Sequence, residues 1–184
     1  MNSKIAIDVD EVLVHLLKPM AKRRGVKLPE NKKYNYLYRE VFSCTEEESQ
    51  VILRDFYMSE DFRNLKPIEG SQLAMNNLNM IFDKMYIITG RQEIVREPTE
   101  LWIEHFFPGV FDDVILTNSF TPHEVKKSDI CRALNIGLII DDNKGICDQC
   151  IEAGTDALNF VGDEIYPWCE ESEISIKGWN IQDV

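Results

Sequence analysis

Five short apolar runs punctuate the chain, and each ends on polar or turn residues. Ile5-Ala6-Ile7 leads to Asp8, and Met85-Tyr86-Ile87-Ile88 leads to Thr89-Gly90. Val114-Ile115-Leu116 leads to Thr117, Leu138-Ile139-Ile140 to Asp141-Asp142, and Ala157-Leu158-Asn159-Phe160-Val161 to Gly162. Unbroken apolar runs of this length predict strands covered on both faces, as in a parallel sheet. Helical periodicity fills the gaps. Leu73, Ala74, Leu78 and Ile81 share a face in residues 71–81, and Leu101, Trp102, His105 and Phe106 do so in 99–107, behind Pro98. Ile130, Cys131 and Leu134 mark a helix over 128–134; Ile146, Cys147, Cys150 and Ile151 mark one over 144–153 that stops at Gly154. This alternation predicts a layered α/β fold with right-handed crossovers. Ligands of such sheets bind beyond the carboxyl ends of the strands, where the polar residues named above sit.

One segment breaks the alternation. Residues 18–65 hold no strong strand. Thr45 followed by three glutamates predicts an N-cap and a first turn whose acids suit the helix dipole, with the helix running to about Tyr57. Tyr34, Tyr36, Tyr38 and Phe42 precede it; Phe56, Tyr57 and Phe62 close it. The segment reads as a helical cap over the sheet edge, inserted into a core formed by residues 1–17 and 66–184. The alternative is an ordinary helical layer with a small core of its own.

Charge narrows the function. Of 184 residues, 20 are Lys or Arg and 32 are Asp or Glu, for a formal net charge of -12. That balance argues against a general nucleic-acid or anionic-membrane binder, which needs a basic surface. It permits an anionic substrate if a local cation reverses the field. No run approaches the roughly 18 apolar residues of a membrane span, and the first residues do not read as a signal peptide. Five cysteines scattered through apolar segments suit a reducing cytoplasm better than a disulfide framework.

The chemistry gathers at the strand ends. Asp8 and Asp10 are two apart, so in extended backbone they point the same way. Asp141 and Asp142 leave a later strand at the same edge. Carboxylates crowded into one pocket stay ionised only with a cation among them. Oxygen ligands alone point to a hard ion, for which Mg²⁺ is the usual choice. Thr89 and the backbone N–H groups of Gly90 and Arg91 can donate to phosphate oxygens, and Lys126 or Lys127 can reach the site as a point charge.

Together these motifs, in order over residues 4–162, resemble the haloacid-dehalogenase-like (HAD-like) hydrolase superfamily. The resemblance implies a Rossmann-like three-layer sandwich with a central parallel sheet and a small helical cap in the C1 position. It also implies a Mg²⁺-dependent phosphomonoesterase acting on a small phosphorylated metabolite through a covalent aspartyl-phosphate. On that reading Asp8 is the nucleophile, and Asp10 is the general acid and then base. Mg²⁺ is bound by Asp8, the main-chain carbonyl of Asp10, and Asp141. Asp142 is second shell or holds the lysine. Thr89, Gly90, Arg91 and Lys127 bind the phosphate, with Lys127 preferred to Lys126 because Lys127-Ser128-Asp129-Ile130 is similar to the family's helix start. The acid at position 10 favours phosphate esters over carbon–halogen cleavage.

A closer likeness is to the 5'(3')-deoxyribonucleotidase family. It rests on residues 56–62 and 65–70, on Ile87-Ile88-Thr89-Gly90-Arg91, and on Trp102, Phe106 and Phe107. It implies a nucleoside monophosphate as substrate. A sugar phosphate or other small ester, and a non-catalytic HAD-like binding protein, are the competing readings. The family usually has glycine after the second aspartate, whereas this chain has Glu11. Arg91 reads equally as a phosphate ligand or a solvated charge. The CxxC of Cys147 and Cys150 reads as core, no histidine has an evident partner, and Trp168 and Trp179 are expected to pack the tail on the core. Oligomeric state is not legible.

Overall fold

A computed structural model of the chain describes residues 3–28, 37–162 and 170–179. The strands β1 (Lys4–Ile7), β2 (Lys84–Thr89), β3 (Asp113–Leu116), β4 (Leu138–Asp141), β5 (Asp156–Phe160) and β6 (Ser175–Ile176) form one sheet. Their order is β3-β2-β1-β4-β5-β6, and every pairing is parallel. The five apolar runs are the first five strands. The sixth has two residues and no periodicity to read.

The sheet grows both ways from β1: towards β2 and β3 on one side, towards β4 and β5 on the other. Crossovers leaving β1 and β4 in opposite directions open a crevice at their carboxyl ends. Register decides what enters it. Ile7 lies opposite Ile140, and the Asp8 amide donates to the Ile140 carbonyl at 2.9 Å. Asp8 therefore emerges beside Asp141.

Alternation along the strands makes two cores. Ile5, Ile7, Met85 and Ile87 pack with Met75 and Leu78 of α5 (Ser71–Asn79) and with Trp102 and Ile103 of α6 (Arg96–Phe106). Ala6, Ile88 and Ile139 pack with Cys131 of α7 (Lys127–Leu134) and with Cys147 and Cys150 of α8 (Lys144–Glu152). Helices thus cover both faces, a three-layer α/β fold. The two CxxC cysteines are fully buried within α8.

The described residues between 17 and 63 supply four helices: α1 (Leu17–Arg23), α2 (Tyr38–Val41), α3 (Glu46–Tyr57) and α4 (Glu60–Arg63). Thr45 closes a capping box on α3: its hydroxyl accepts from the Glu48 amide at 3.2 Å, and Glu48 accepts from the Thr45 amide at 2.8 Å. The buried side of this segment, including Ile52, Leu53, Phe56, Phe62 and Leu65, is continuous with the core around Ile5 and Ile7. Among the described residues the helical segment therefore has no separate core. Its entry and exit are tied together, because the Ile68 amide donates to the Leu13 carbonyl at 2.7 Å and Val14 bridges Pro67. Tyr34, Tyr36 and Trp168 lie outside the described residues.

The tail reaches the first loop. Trp179 stacks on Phe160 at 4.9 Å between centroids, and its indole N–H donates to the Val12 carbonyl at 2.7 Å. Gly70 makes room for it: φ is +82°, and a Cβ there would stand 3.1 Å from the Trp179 carbonyl oxygen.

Candidate active site

The loop after β1 is wound tightly on itself. The amides of Leu13 and Val14 both donate to the Val9 carbonyl, at 2.8 and 3.1 Å, and the Glu11 amide donates to Val14 at 2.7 Å. This winding needs a left-handed residue at its apex, and Glu11 takes it with φ +64°. A residue with a Cβ is costly there, which explains the glycine usual in the resembled family. Here the side chain offsets the cost. Its Oε1 accepts from the amides of Leu16 at 2.8 Å and Leu17 at 2.6 Å. These are first-turn donors of α1, whose own N-cap residue, Leu16, makes no side-chain cap. The other oxygen, Oε2, meets His15 Nδ1 at 3.2 Å. The expectation that no histidine has a partner is thereby corrected for His15; four residues of separation bring it over Glu11.

Asp8, Asp141 and Asp142 converge, with one carboxylate oxygen from each within 4.8 Å of the others, all three buried. Lys127 bridges two of them, 2.9 Å from Asp8 and 2.7 Å from Asp141. It is the first residue of α7, so the helix start aims it into the crevice; Lys126 is the N-cap before it and is exposed. Burial pushes the Asp8 carboxyl up to about 7, with Asp141 and Asp10 adding to the shift and Lys127 opposing it. Burial, Asp141, Asp8 and Glu11 likewise push Asp142 well above the carboxylate range. Burial works against the charge on Lys127, but Asp141 and Asp8 outweigh it and hold its pKa above the ordinary value. The three carboxyl groups share one ammonium, and the upward shifts of Asp8 and Asp142 show that they cannot all be ionised there without a further cation. That donor set fits a hard divalent cation such as Mg²⁺.

Asp10 faces a different partner. Arg91 Nε lies 3.1 and 3.3 Å from its two oxygens, and Nη2 lies 2.8 Å from Oδ1. Nη1 donates to Thr99 of α6 at 3.1 Å, and the guanidinium sits 4.9 Å over the Phe62 ring of α4. Arg91 is 2% exposed, so the reading of it as a solvated charge is corrected. Asp10 holds it inside with a two-point ion pair, and that attraction overcomes the burial that works against its charge. The general-acid candidate is thus tied to both the helical segment and the core.

Thr89 is fully buried, and its Oγ1 accepts from the Arg91 amide at 3.3 Å. It lies beneath the cavity wall, while Gly90 and Arg91 are on it. The aliphatic hydroxyl residues on the wall are Thr117 and Ser119, whose oxygens lie 3.2 Å apart. The sequence carried a signal for them, since Thr117 ends the third apolar run. Their placement depends on the register of Thr89 against Leu116. The cavity measures about 240 Å³, and its lining includes Asp8, Asp10, Lys127 and Asn143 together with the aromatic Tyr38, Tyr57 and Phe120. Tyr38 and Phe120 lie 5.7 Å apart. Burial and the Asp10 charge raise the pKa of Tyr57, so its phenol stays a neutral donor.

Lys127 and Lys126 should separate sharply in function. On the phosphate-ester chemistry that the resemblance implies, Lys127→Met is expected to lower turnover by at least about 10²-fold, the scale of losing one charge-stabilising donor, and Lys126→Met by only a few-fold. Steady-state rates on p-nitrophenyl phosphate decide; the reverse ranking would favour Lys126 as the phosphate-binding lysine.

No protein-family model matches the chain, and no curated protein does. Solved structures do. A haloacid dehalogenase-like hydrolase from Streptococcus pneumoniae superposes with TM-score 0.63 at 17% identity, over 86% of this chain and 84% of that one. A predicted phosphatase from Clostridium acetobutylicum gives 0.63 at 14%, over 87% and 85%. A predicted phosphoglycolate phosphatase from Haemophilus somnus gives 0.55 at 14%, over 86% and 84%. At these identities the shared property is the fold: this chain has the α/β architecture of HAD-superfamily phosphatases. The likeness to 5'(3')-deoxyribonucleotidases is carried by sequence motifs alone.

Proposed function

We propose that the chain is a HAD-type phosphomonoesterase for a small phosphate ester, with Asp8 as nucleophile. One observation carries the reading. A buried aspartate, bridged by Lys127 to a second carboxylate, stands at the switch point of a parallel sheet and opens on a cavity. The helical segment acts as the cap over that cavity, and residues 1–17 with 66–184 act as the body. Asp8 attacks phosphorus and forms an aspartyl-phosphate, which splits one hard hydrolysis into two easier steps. Lys127, with the backbone at Gly90, balances the charge that spreads over the phosphoryl oxygens. In its ion pair with Arg91, Asp10 is a carboxylate; to act as general acid it must leave Arg91 and take up a proton from solvent, which it gives to the leaving alkoxide and regains from the attacking water. Asp8, Asp141 and the main-chain carbonyl of Asp10, with Asp142 beside them, would hold Mg²⁺, which would supply electrostatic stabilisation of the phosphoryl group.

Volume supports a small leaving group. About 240 Å³ is below the roughly 300–1,000 Å³ common for ligand pockets, which suits a sugar phosphate or a similar small ester. The phosphoglycolate phosphatase name of one fold neighbour points the same way. The nucleoside monophosphate reading rests on the aromatic part of the lining, Tyr38, Tyr57 and Phe120. A panel of sugar phosphates, short-chain acid phosphates and nucleoside monophosphates, compared by kcat/KM with Mg²⁺, tests the choice. Sugar or short-chain phosphates are expected to lead. A nucleotide leading by about tenfold or more reverses the assignment, and failure of every ester leaves the binding-protein reading.

A further inference from the structure

A second cavity, of about 390 Å³, lies between the end of α4 and the outer face of α6. Arg91 lines both it and the cavity over Asp8. Its other charged or basic lining residues are Arg63, Lys66 and His105, and no carboxylate lines it. In a chain with 32 acids and 20 Lys and Arg, a cavity whose charged or titratable lining groups are all basic is a departure from the background. Arg63, Lys66 and His105 are exposed, and none of the three makes an ion pair with a described residue. The floor is aromatic. Phe62, Trp102 and Phe106 form it, and Lys66 already stands 5.3 Å over the Phe106 ring. Trp102 is pinned by its indole N–H to the Leu65 carbonyl at 2.9 Å, so the floor is rigid.

Arg91 adds a buried element. Asp10 and Thr99 engage three of its five N–H groups; among the described residues one N–H on each terminal nitrogen has no partner. A simple inorganic anion would leave the aromatic floor unused, and an uncharged apolar ligand would leave three surface donors in water. The complement to this cavity has both parts.

We propose that this cavity binds an organic anion carrying a planar ring, such as a nucleotide or an aromatic carboxylate, at a site separate from the Asp8 cavity. Arg63, Lys66 and His105 take the anionic group, and the ring lies against the aromatic floor. Phe62 is both wall of this site and ring partner of Arg91, which places the ligand one side chain from Asp10. The site stands whether or not Asp8 is a nucleophile.

Calorimetric titration of the whole chain without divalent cations tests the assignment, using AMP, benzoate and inorganic phosphate as probes. AMP or benzoate is expected to bind more tightly than inorganic phosphate; the better of the two identifies the ligand class. The double variant Arg63→Glu/Lys66→Glu should weaken that binding by at least about tenfold, as two reversed charges at one anion require. Lys126→Glu, on the rim of the Asp8 cavity, should change it less than about threefold. Both altered positions of the double variant are exposed, and an unchanged melting temperature verifies its fold. The assignment is overturned if neither ring-bearing anion binds, if the double variant binds as the parent does, or if only Lys126→Glu abolishes binding. Because binding is read without turnover, a failed phosphatase assay leaves this test intact.

Discussion

Asp8→Asn is expected to abolish turnover of every phosphate ester while raising the melting temperature of the metal-free protein. The two effects have one cause. Among the described residues Asp8 is the carboxylate of the cluster that lines the cavity with its lysine partner, so on the proposed mechanism its replacement ends the covalent route; a loss of at least about 10⁴-fold in kcat is the scale for a nucleophile. The same carboxylate is an electrostatic burden in the folded state, because burial, Asp141 and Asp10 together outweigh Lys127. Asparagine keeps the shape and an oxygen for Lys127 and removes the charge. Scanning calorimetry beside a rate assay checks both halves. A variant that is inactive but less stable would mean that Asp8 holds the fold through Lys127 rather than straining it.

Magnesium should stabilise the protein strongly at pH 8 and weakly at pH 5. The Asp8 carboxyl loses its proton near the ordinary 3.8 in the unfolded chain and near 7 in the folded protein. Between those values the unfolded state binds fewer protons, so stability falls as pH rises, and the loss is complete above about 7. The shift corresponds to a loss of roughly 4 kcal/mol at most. Asp142 is displaced in the same direction and deepens the trend. A divalent ion among these oxygens offsets the repulsion by mass action, yet at pH 5 it must first displace protons. Melting temperatures with 5 mM Mg²⁺ and with a chelator, at both pH values, measure this as a difference of differences; here about 5 mM is simply an excess over a weak site. Equal gains at pH 5 and pH 8 would show that the ion binds somewhere other than the Asp8 cluster.

Much of this molecule was open to reading before any coordinates. The five apolar runs became strands because a parallel sheet buries both faces, leaving an unbroken apolar signature. Thr45 and the glutamates after it announced an N-cap and a helix start because a cap and its donors lie within one turn; the reciprocal bond from Glu48 is added by the structure. The meeting of Asp8 with Asp141 followed from two strands ending at one edge. In each case the controlling interaction is local, or repeats along an element, so linear order suffices.

Other features depended on contacts that linear order does not carry. Whether Arg91 faced phosphate, water or protein was set by Asp10, Thr99 and Phe62, which come from three separate elements. Glu11 looked like an added charge beside the site; only the left-handed turn and the nearby start of α1 make it a cap. Thr117 and Ser119, rather than Thr89, reached the cavity wall through the pairing of β2 with β3. Composition and periodicity determined the layers and the strand ends at which carboxylates gather. Packing alone decided which neighbour each charge meets, because a buried charge takes its state from groups a few ångströms away, however far along the chain they lie.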